Sequence, residues 1–240
     1  GEPEDEEVLT VTKTVDTSYI REHFWDIDKK VETEKGYKLD DIAKIWLYTD
    51  GSGNETATWT VDVTYDGYED SGFNVSGTIT IVNTGDLDAV ITGVEDLLAG
   101  EAIDVDFPVE FPYTLPVGET LVGTYSEDGY SEGNNVVTVT TERDTYGDTK
   151  AIVWGDPASE INATVTIKDI SDLFGEVELG TVTAPNDDQF TYNKAFAWAD
   201  YGADGCGSYQ YDNTATIVET GQYAEASLKV NVQCFKYDTA

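Results

Sequence analysis

The stretch TATWTVDVTY, residues 56–65, alternates without a break. Ala57, Trp59, Val61, Val63 and Tyr65 fall on one face, and Thr58, Thr60, Asp62 and Thr64 on the other. Successive side chains of an extended chain point to opposite sides, so a period of two predicts a half-buried β-strand. The β-branched and aromatic residues suit a pleated surface. The pattern recurs in FNVSGTITIVN (73–83), with Phe73, Val75, Ile79 and Ile81 inward, and in INATVTIKDI (161–170), with Ile161, Ala163, Val165 and Ile167 inward. YAEASLKVNVQC (223–234) places Ala224, Ala226, Leu228, Val230, Val232 and Cys234 on a core face. Turn segments YDGYEDSG, NTGDLD, SEDGYSEGNN and DYGADGCG separate such runs, at roughly the 8–12-residue spacing of an antiparallel β-sandwich. Helical signal is confined to KLDDIAKIWLY (38–48), a short helix, and VEDLLAG (94–100), a single turn.

One unit occurs twice. GTYSEDGYSEGNNVVTVTTE (123–142) and GSYQYDNTATIVETGQ (207–222) each open Gly-(Ser/Thr)-Tyr, run to Asn and then alternate small apolar residues with threonine. The duplication predicts two sandwiches in tandem. The expected division is an acidic tail and strand over 1–15, a first sandwich over 16–147 and a second over 148–240. Basic residues reappear at that boundary, in RDTYGDTK, after a stretch from Ile45 to Glu142 that holds 19 acids and no Lys or Arg.

Charge narrows the partners. Lys and Arg number 13 against 48 Asp and Glu, a formal charge of −35. Such a field repels nucleic acid and anionic membrane surfaces, and mobile cations, divalent ions or a partner's charges must screen the first sandwich. A hydrophobic fraction of 40% with 12% aromatics points to a folded chain despite the acidity. No apolar run is long enough to span a membrane. The chain has no methionine and begins GEPEDEE, which implies that an initiator and a signal peptide have been removed. Acceptor patterns for N-glycosylation stand at Asn54 (NET), Asn74 (NVS) and Asn162 (NAT). The expected location is extracellular.

Wording as well as pattern is informative. TVTKTVDTSYIREHFWDIDKKVE, GYEDSGFNVSGTITIVNTGDLDAVITGVEDLL and FPYTLPVGETLVGTYS follow one another in an order that resembles the immunoglobulin-like repeat domains of secreted bacterial and archaeal cell-surface proteins, a conserved-repeat, adhesin-like family. The resemblance covers 8–142 and extends more loosely through 161–234. It implies an immunoglobulin-like sandwich and a secreted, modular, structural or adhesive role.

Catalytic signatures are scarce. His23 is the sole histidine and sits in REHFWDIDKK, a predicted strand, where packing is the expectation. No HExxH, phosphate-binding or dinucleotide fingerprint occurs. A carboxylate pair of glycosidase type stays open, since it requires only a spacing in space. The expectation is a non-enzyme. Cys206 and Cys234 with one distant histidine cannot complete a zinc site. They fit a disulfide, with two free buried thiols as the alternative. Calcium is the candidate cofactor, through Asp66, Glu69 and Asp70 of YDGYEDSG and the same-face pair Asp104 and Asp106, with solvated acidic loops as the alternative. The abundant aromatics could form a sugar-binding platform or simply a scaffold.

The segment VLTVTKTV carries the last expectation. GEPEDEE before it is expected to be mobile. Val8, Leu9, Val11 and Val15 then form a strand that either pairs at home or fills a groove in the next subunit. The second alternative gives a head-to-tail homopolymer. The leading function is accordingly a non-enzymatic extracellular structural subunit of a filament, pilus-like or surface-layer assembly built by strand complementation. The runner-up is a monomeric adhesive or glycan-binding module of a larger surface protein.

Overall fold

The structure is a computed structural model and describes residues 5–235. The first four residues of the expected acidic tail lie outside that range. The chain is all-β. Its first strands are β1 (Leu9–Lys13), β2 (Asp16–Thr33), β3 (Lys38–Leu39), β4 (Ile42–Leu47), β5 (Glu55–Asn83) and β6 (Ala89–Leu98). There follow β7 (Glu101–Ile103), β8 (Tyr113–Leu115), β9 (Thr120–Asp128), β10 (Asn134–Thr141), β11 (Thr145–Ala151) and β12 (Ser159–Ile161). The last are β13 (Thr164–Ser171), β14 (Gly175–Thr183), β15 (Asp188–Phe196), β16 (Gly207–Ile217) and β17 (Tyr223–Val232). A single turn of helix, α1 (Trp198–Tyr201), precedes β16.

Two compact units result, and neither is a continuous stretch. Unit 1 comprises residues up to Arg21 and Asp70–Glu160; unit 2 comprises Glu22–Glu69 and Ile161 onward. The expected cut near 147 is therefore replaced by an interleaved division. Its cause is strand length. β2 has 18 residues and β5 has 29, against roughly 3–10 in ordinary strands, and each contributes residues to both units. The expected turn YDGYEDSG is absorbed into β5. Gly67 and Gly72 there adopt φ of +92° and +63°, which glycine tolerates without steric cost, so they kink the strand and do not reverse it.

In unit 1, β1 and β9 both pair antiparallel to the second half of β5. The facing sheet runs β11-β10-β6-β7, with β8 also on β6. Leu9, Val11, Ile79, Ile81 and Leu121 from the first sheet meet Ala89, Ile91, Leu115, Val137 and Val139 from the second. That is a sandwich core. In unit 2, β15 pairs with the first half of β5, and the facing sheet runs β14-β13-β16-β17-β4-β3. Trp25, Ile27, Val61 and Val63 pack on Val165, Ile167, Ala215 and Ile217. A second cluster sets Ala57, Trp59 and Phe196 against Ile45, Leu47, Leu228 and Val230. The inward faces expected from alternation hold at Ala57, Trp59, Val61, Val63, Val75, Ile79 and Ile81, all buried.

Several local expectations are corrected. KLDDIAKIWLY is a hairpin, with Asp40 and Asp41 at positive φ. Its Ala43, Ile45 and Leu47 alternate inward, and β4 pairs parallel to β17, so the ladder is not wholly antiparallel. VEDLLAG continues β6. Ile161, expected inward, is exposed. The two copies of the repeated unit also diverge. The first spans β9, a turn and β10, whereas the second is the single strand β16 followed by a turn.

Candidate functional site

The expected donor strand is at home. β1 pairs with β5 of its own chain over Leu9↔Asn83 to Lys13↔Ile79, burying Leu9 and Val11 in unit 1. Val8 is exposed and Val15 is partly buried against Val75 and Tyr125. The described end of the acidic tail is tethered as well. The Glu6 and Val8 carbonyls accept from Asp86 and Thr84 N–H at 2.8 and 2.9 Å, and Tyr146 donates to the Glu7 carbonyl at 2.9 Å. The mobility expected of that part is offset by these bonds.

The chemically richest positions were not singled out by sequence. Lys13 ends β1 on its inward side and is fully desolvated. Its Nζ donates to Asp96 Oδ2 at 2.6 Å, with neither side chain exposed, and sits 3.8 Å from the centre of the Tyr125 ring. Asp96 lies on β6 of the opposite sheet. Asn135, on the neighbouring β10, is wholly buried. Neither of its amide atoms has a hydrogen-bond partner, and Asp96 Oδ1 also lacks one. Burial pushes the Lys13 amine below its ordinary range and the Asp96 carboxyl above its own, against the pull of their pairing. Burial likewise raises the Tyr125 phenol to about 12, and that phenol donates to the Thr14 carbonyl at 2.6 Å.

Unit 2 repeats the arrangement with other strands. Lys29 of β2 donates to Asp169 Oδ1 of β13 at 2.6 Å and to the Tyr192 phenol at 2.8 Å. Tyr192 in turn donates to the other oxygen of Asp169. Asn213 of β16 donates to the Tyr192 oxygen at 2.8 Å, and its own carbonyl oxygen is buried without a partner. Desolvation lowers the Lys29 amine. Tyr192 stacks on Trp59, ring centres 5.9 Å apart, with Phe174 edge-on at 5.3 Å. A cavity of about 160 Å³ borders the cluster, lined by Asp169, Phe174, Val177, Leu179 and Tyr192.

A legible signal did exist. Lys13 continues the parity of Leu9 and Val11, and Lys29 that of Trp25 and Ile27, so alternation aims both lysines at a core. A charge buried in a core needs a partner or loses its charge.

The other sequence-derived positions are dispersed. Asp66, Glu69 and Asp70 lie in β5, not in a loop, and Asp70 accepts a two-pronged contact from Arg21 at 2.7 and 2.8 Å. Asp104 and Asp106 are both exposed, and Asp106 is bridged by backbone to Thr124. No group of three or more acidic, histidine or cysteine side chains gathers as a metal site among the described residues. Cys206 and Cys234 form a disulfide. Asn54 is exposed, while Asn74 is half-buried and donates to Ser126 and Asp128. Asn162 is half-buried with φ of +57°. His23 packs against Tyr65, with Nδ1 2.9 Å from its phenol, at a cleft of about 480 Å³ shared with Glu22, Asp66 and Glu219. A second surface groove of unit 2, about 400 Å³, is lined by Leu39, Lys44, Trp46, Tyr209, Gln210 and Lys229 among others. Trp46 is exposed there, with the Lys44 amine 4.7 Å from its ring.

The sequence matches no protein-family model and no curated protein. Among solved structures it is similar to the fibronectin(III)-like modules of CbhA from Clostridium thermocellum, at 11% identity over 85% of this chain and 94% of that one, with a TM-score of 0.19. It is also similar to SGBP-B of the Bacteroides ovatus mixed-linkage glucan utilization locus, solved with a mixed-linkage heptasaccharide. Identity there is 13% over 90% of this chain and 60% of that one, with a TM-score of 0.19. Likeness at this level transfers neither role nor ligand. The class defined by the coordinates themselves is an all-β protein of face-to-face sheets.

Proposed function

We propose that this chain is a non-enzymatic extracellular structural module of a larger surface protein or assembly, in which each unit closes its own sheets. The observation that supports it most is the seating of β1. Were β1 to leave for a neighbouring subunit, Asp96 would be stranded in the core without Lys13, and an uncompensated buried charge costs about 3–5 kcal/mol. Assembly by contacts other than strand donation is the favoured form. The test is to incubate the folded protein with excess labelled peptide of residues 5–18 and to follow sedimentation at rising concentration. The expected result is no bound peptide and no strand-dependent oligomer. Peptide uptake, or fibres that the peptide dissolves, would restore strand complementation.

A second reading has its own observation. Exposed Trp46, flanked by Lys44, Gln210 and Lys229, offers a ring face with polar groups around it, as saccharide sites do. Binding on a glycan array that Trp46→Ala abolishes would support it. An array without hits would remove it.

A further inference from the structure

Both units bury the same three groups in the same geometry. In unit 1 Asp96 is the cross-strand partner of Val137, and Asn135 stands two residues before Val137. In unit 2 Asp169 is the partner of Ala215, and Asn213 stands two residues before Ala215. Residues two apart share a face, so each Asp and Asn are diagonal neighbours aimed into the core, about 7–8 Å apart at Cα. A lysine reaches the Asp of that pair from the opposite sheet, at 2.6 Å in both units, and it lies on the first strand of its unit in each case, Lys13 on β1 and Lys29 on β2. All six side chains are buried. A tyrosine closes each site, Tyr125 in one and Tyr192 in the other.

A simple ion pair leaves much of this unexplained. Buried amide atoms are nearly always hydrogen-bonded, yet both amide atoms of Asn135 and the carbonyl oxygen of Asn213 have no partner. The carboxamide is nonetheless an electrophile held beside an amine and a carboxyl group. Desolvation favours the neutral amine over the ammonium at both lysines, which is the nucleophilic form.

We propose that each site is a self-modifying centre in which the lysine amine condenses with the asparagine carboxamide to form an intramolecular isopeptide bond, Lys13 to Asn135 and Lys29 to Asn213. The neutral Nζ attacks the Asn Cγ. Asp96 or Asp169, as the acid, protonates the carboxamide oxygen, and its carboxylate then takes a proton from the attached nitrogen. A tetrahedral carbon forms. The same Asp passes a proton to Nδ2, the Cγ–Nδ2 bond breaks, and ammonia departs as the carbonyl re-forms and returns its hydroxyl proton to the Asp. One C–N bond is made and one is lost. No oxidant or cofactor is consumed. The packed core supplies the proximity that makes amide exchange feasible. The bond would join the first strand of each unit to the facing sheet, which goes beyond the structural role proposed above and stands independently of it.

Intact mass of the protein, produced in a host that does not glycosylate it, tests the proposal. The expected mass falls short of the disulfide-bonded sequence by two molecules of ammonia. Digestion should yield two branched peptides, one joining the Lys13 and Asn135 segments and one joining the Lys29 and Asn213 segments. Absence of either branched peptide, with its lysine free to chemical acylation after denaturation, overturns the bond in that unit. Asp96→Asn and Asp169→Asn preserve side-chain shape while removing the proton carrier. Each should restore one ammonia in a chain whose circular dichroism and disulfide are unchanged. Full ammonia loss in those variants would overturn the assignment of the Asp as proton carrier.

Discussion

Tyr125 is almost wholly out of solvent, yet it carries a hydroxyl that must be satisfied, and the Thr14 carbonyl accepts it. Its phenol ionises near 10.0 when unfolded and near about 12 when folded. Between those values the unfolded chain has released the proton and the folded one retains it. The contribution is therefore complete below the unfolded value and is lost as pH rises through the folded one. Urea midpoints should fall with pH across that window, and Tyr125→Phe should flatten the fall. Burial also raises the Tyr192 and Tyr201 phenols, so the slope should shrink in the variant without vanishing. An identical slope in both proteins would refute the assignment.

At the level of strands, the approach of the β1–β2 junction to β5 depends on Gly77. It lies opposite Tyr125 on β9, and a Cβ there would overlap the Thr14 carbonyl oxygen and crowd the Tyr125 hydroxyl. Backbone cannot yield cheaply, so overpacking of this kind costs about 1–3 kcal/mol. Gly77→Ala should lower stability by that amount in urea denaturation. Gly93 on β6 is the control, since a Cβ there meets nothing within 4 Å. Gly93→Ala should be neutral or raise stability by about 0.4–1 kcal/mol, through the unfolded chain. The disulfide acts at the same scale. It closes a 28-residue separation between the entry to β16 and the exit from β17, worth about 3 kcal/mol in the loop-entropy account.

For the whole molecule, charge is the governing quantity. The chain carries −35, and of the acids between Ile45 and Glu142, Asp70 and Asp96 find Arg21 and Lys13. Self-repulsion of this size favours expansion and is screened by salt. The melting temperature should climb as sodium chloride is raised from about 10 mM to 1 M, where the screening length shrinks from roughly 30 to 3 Å. Calcium at matched ionic strength should add nothing beyond screening, because Asp66, Glu69 and Asp70 share a strand and do not form a loop. A melting temperature indifferent to salt would remove the repulsion account. A specific rise with calcium would reinstate a bound ion.

Alternation was enough to establish the all-β class and most inward faces. Period-two placement of Trp59, Val61, Ile79 or Leu228 is a local property, enforced by the geometry of an extended backbone over three or four residues. The disulfide was legible because its two cysteines flank consecutive strands, although Cys234, expected on a core face, is exposed just past the end of β17. Even the inward aim of Lys13 and Lys29 was written in their parity. Their partners were not. Asp96 and Asn135 are 83 and 122 positions along the chain from Lys13; Asp96 meets it, with Asn135 alongside Asp96, only because β6 and β10 pair in one register and the sheet they form packs on the sheet that holds β1. The interleaved units arose likewise from long strands, since Gly67 and Gly72 read locally as a turn while β5 runs on through them, from the residues that pair with β15 to those that pair with β9. Local patterning decides which side of a strand is buried. Which buried groups touch is decided by sheet register and packing, free energies summed over residues far apart in sequence.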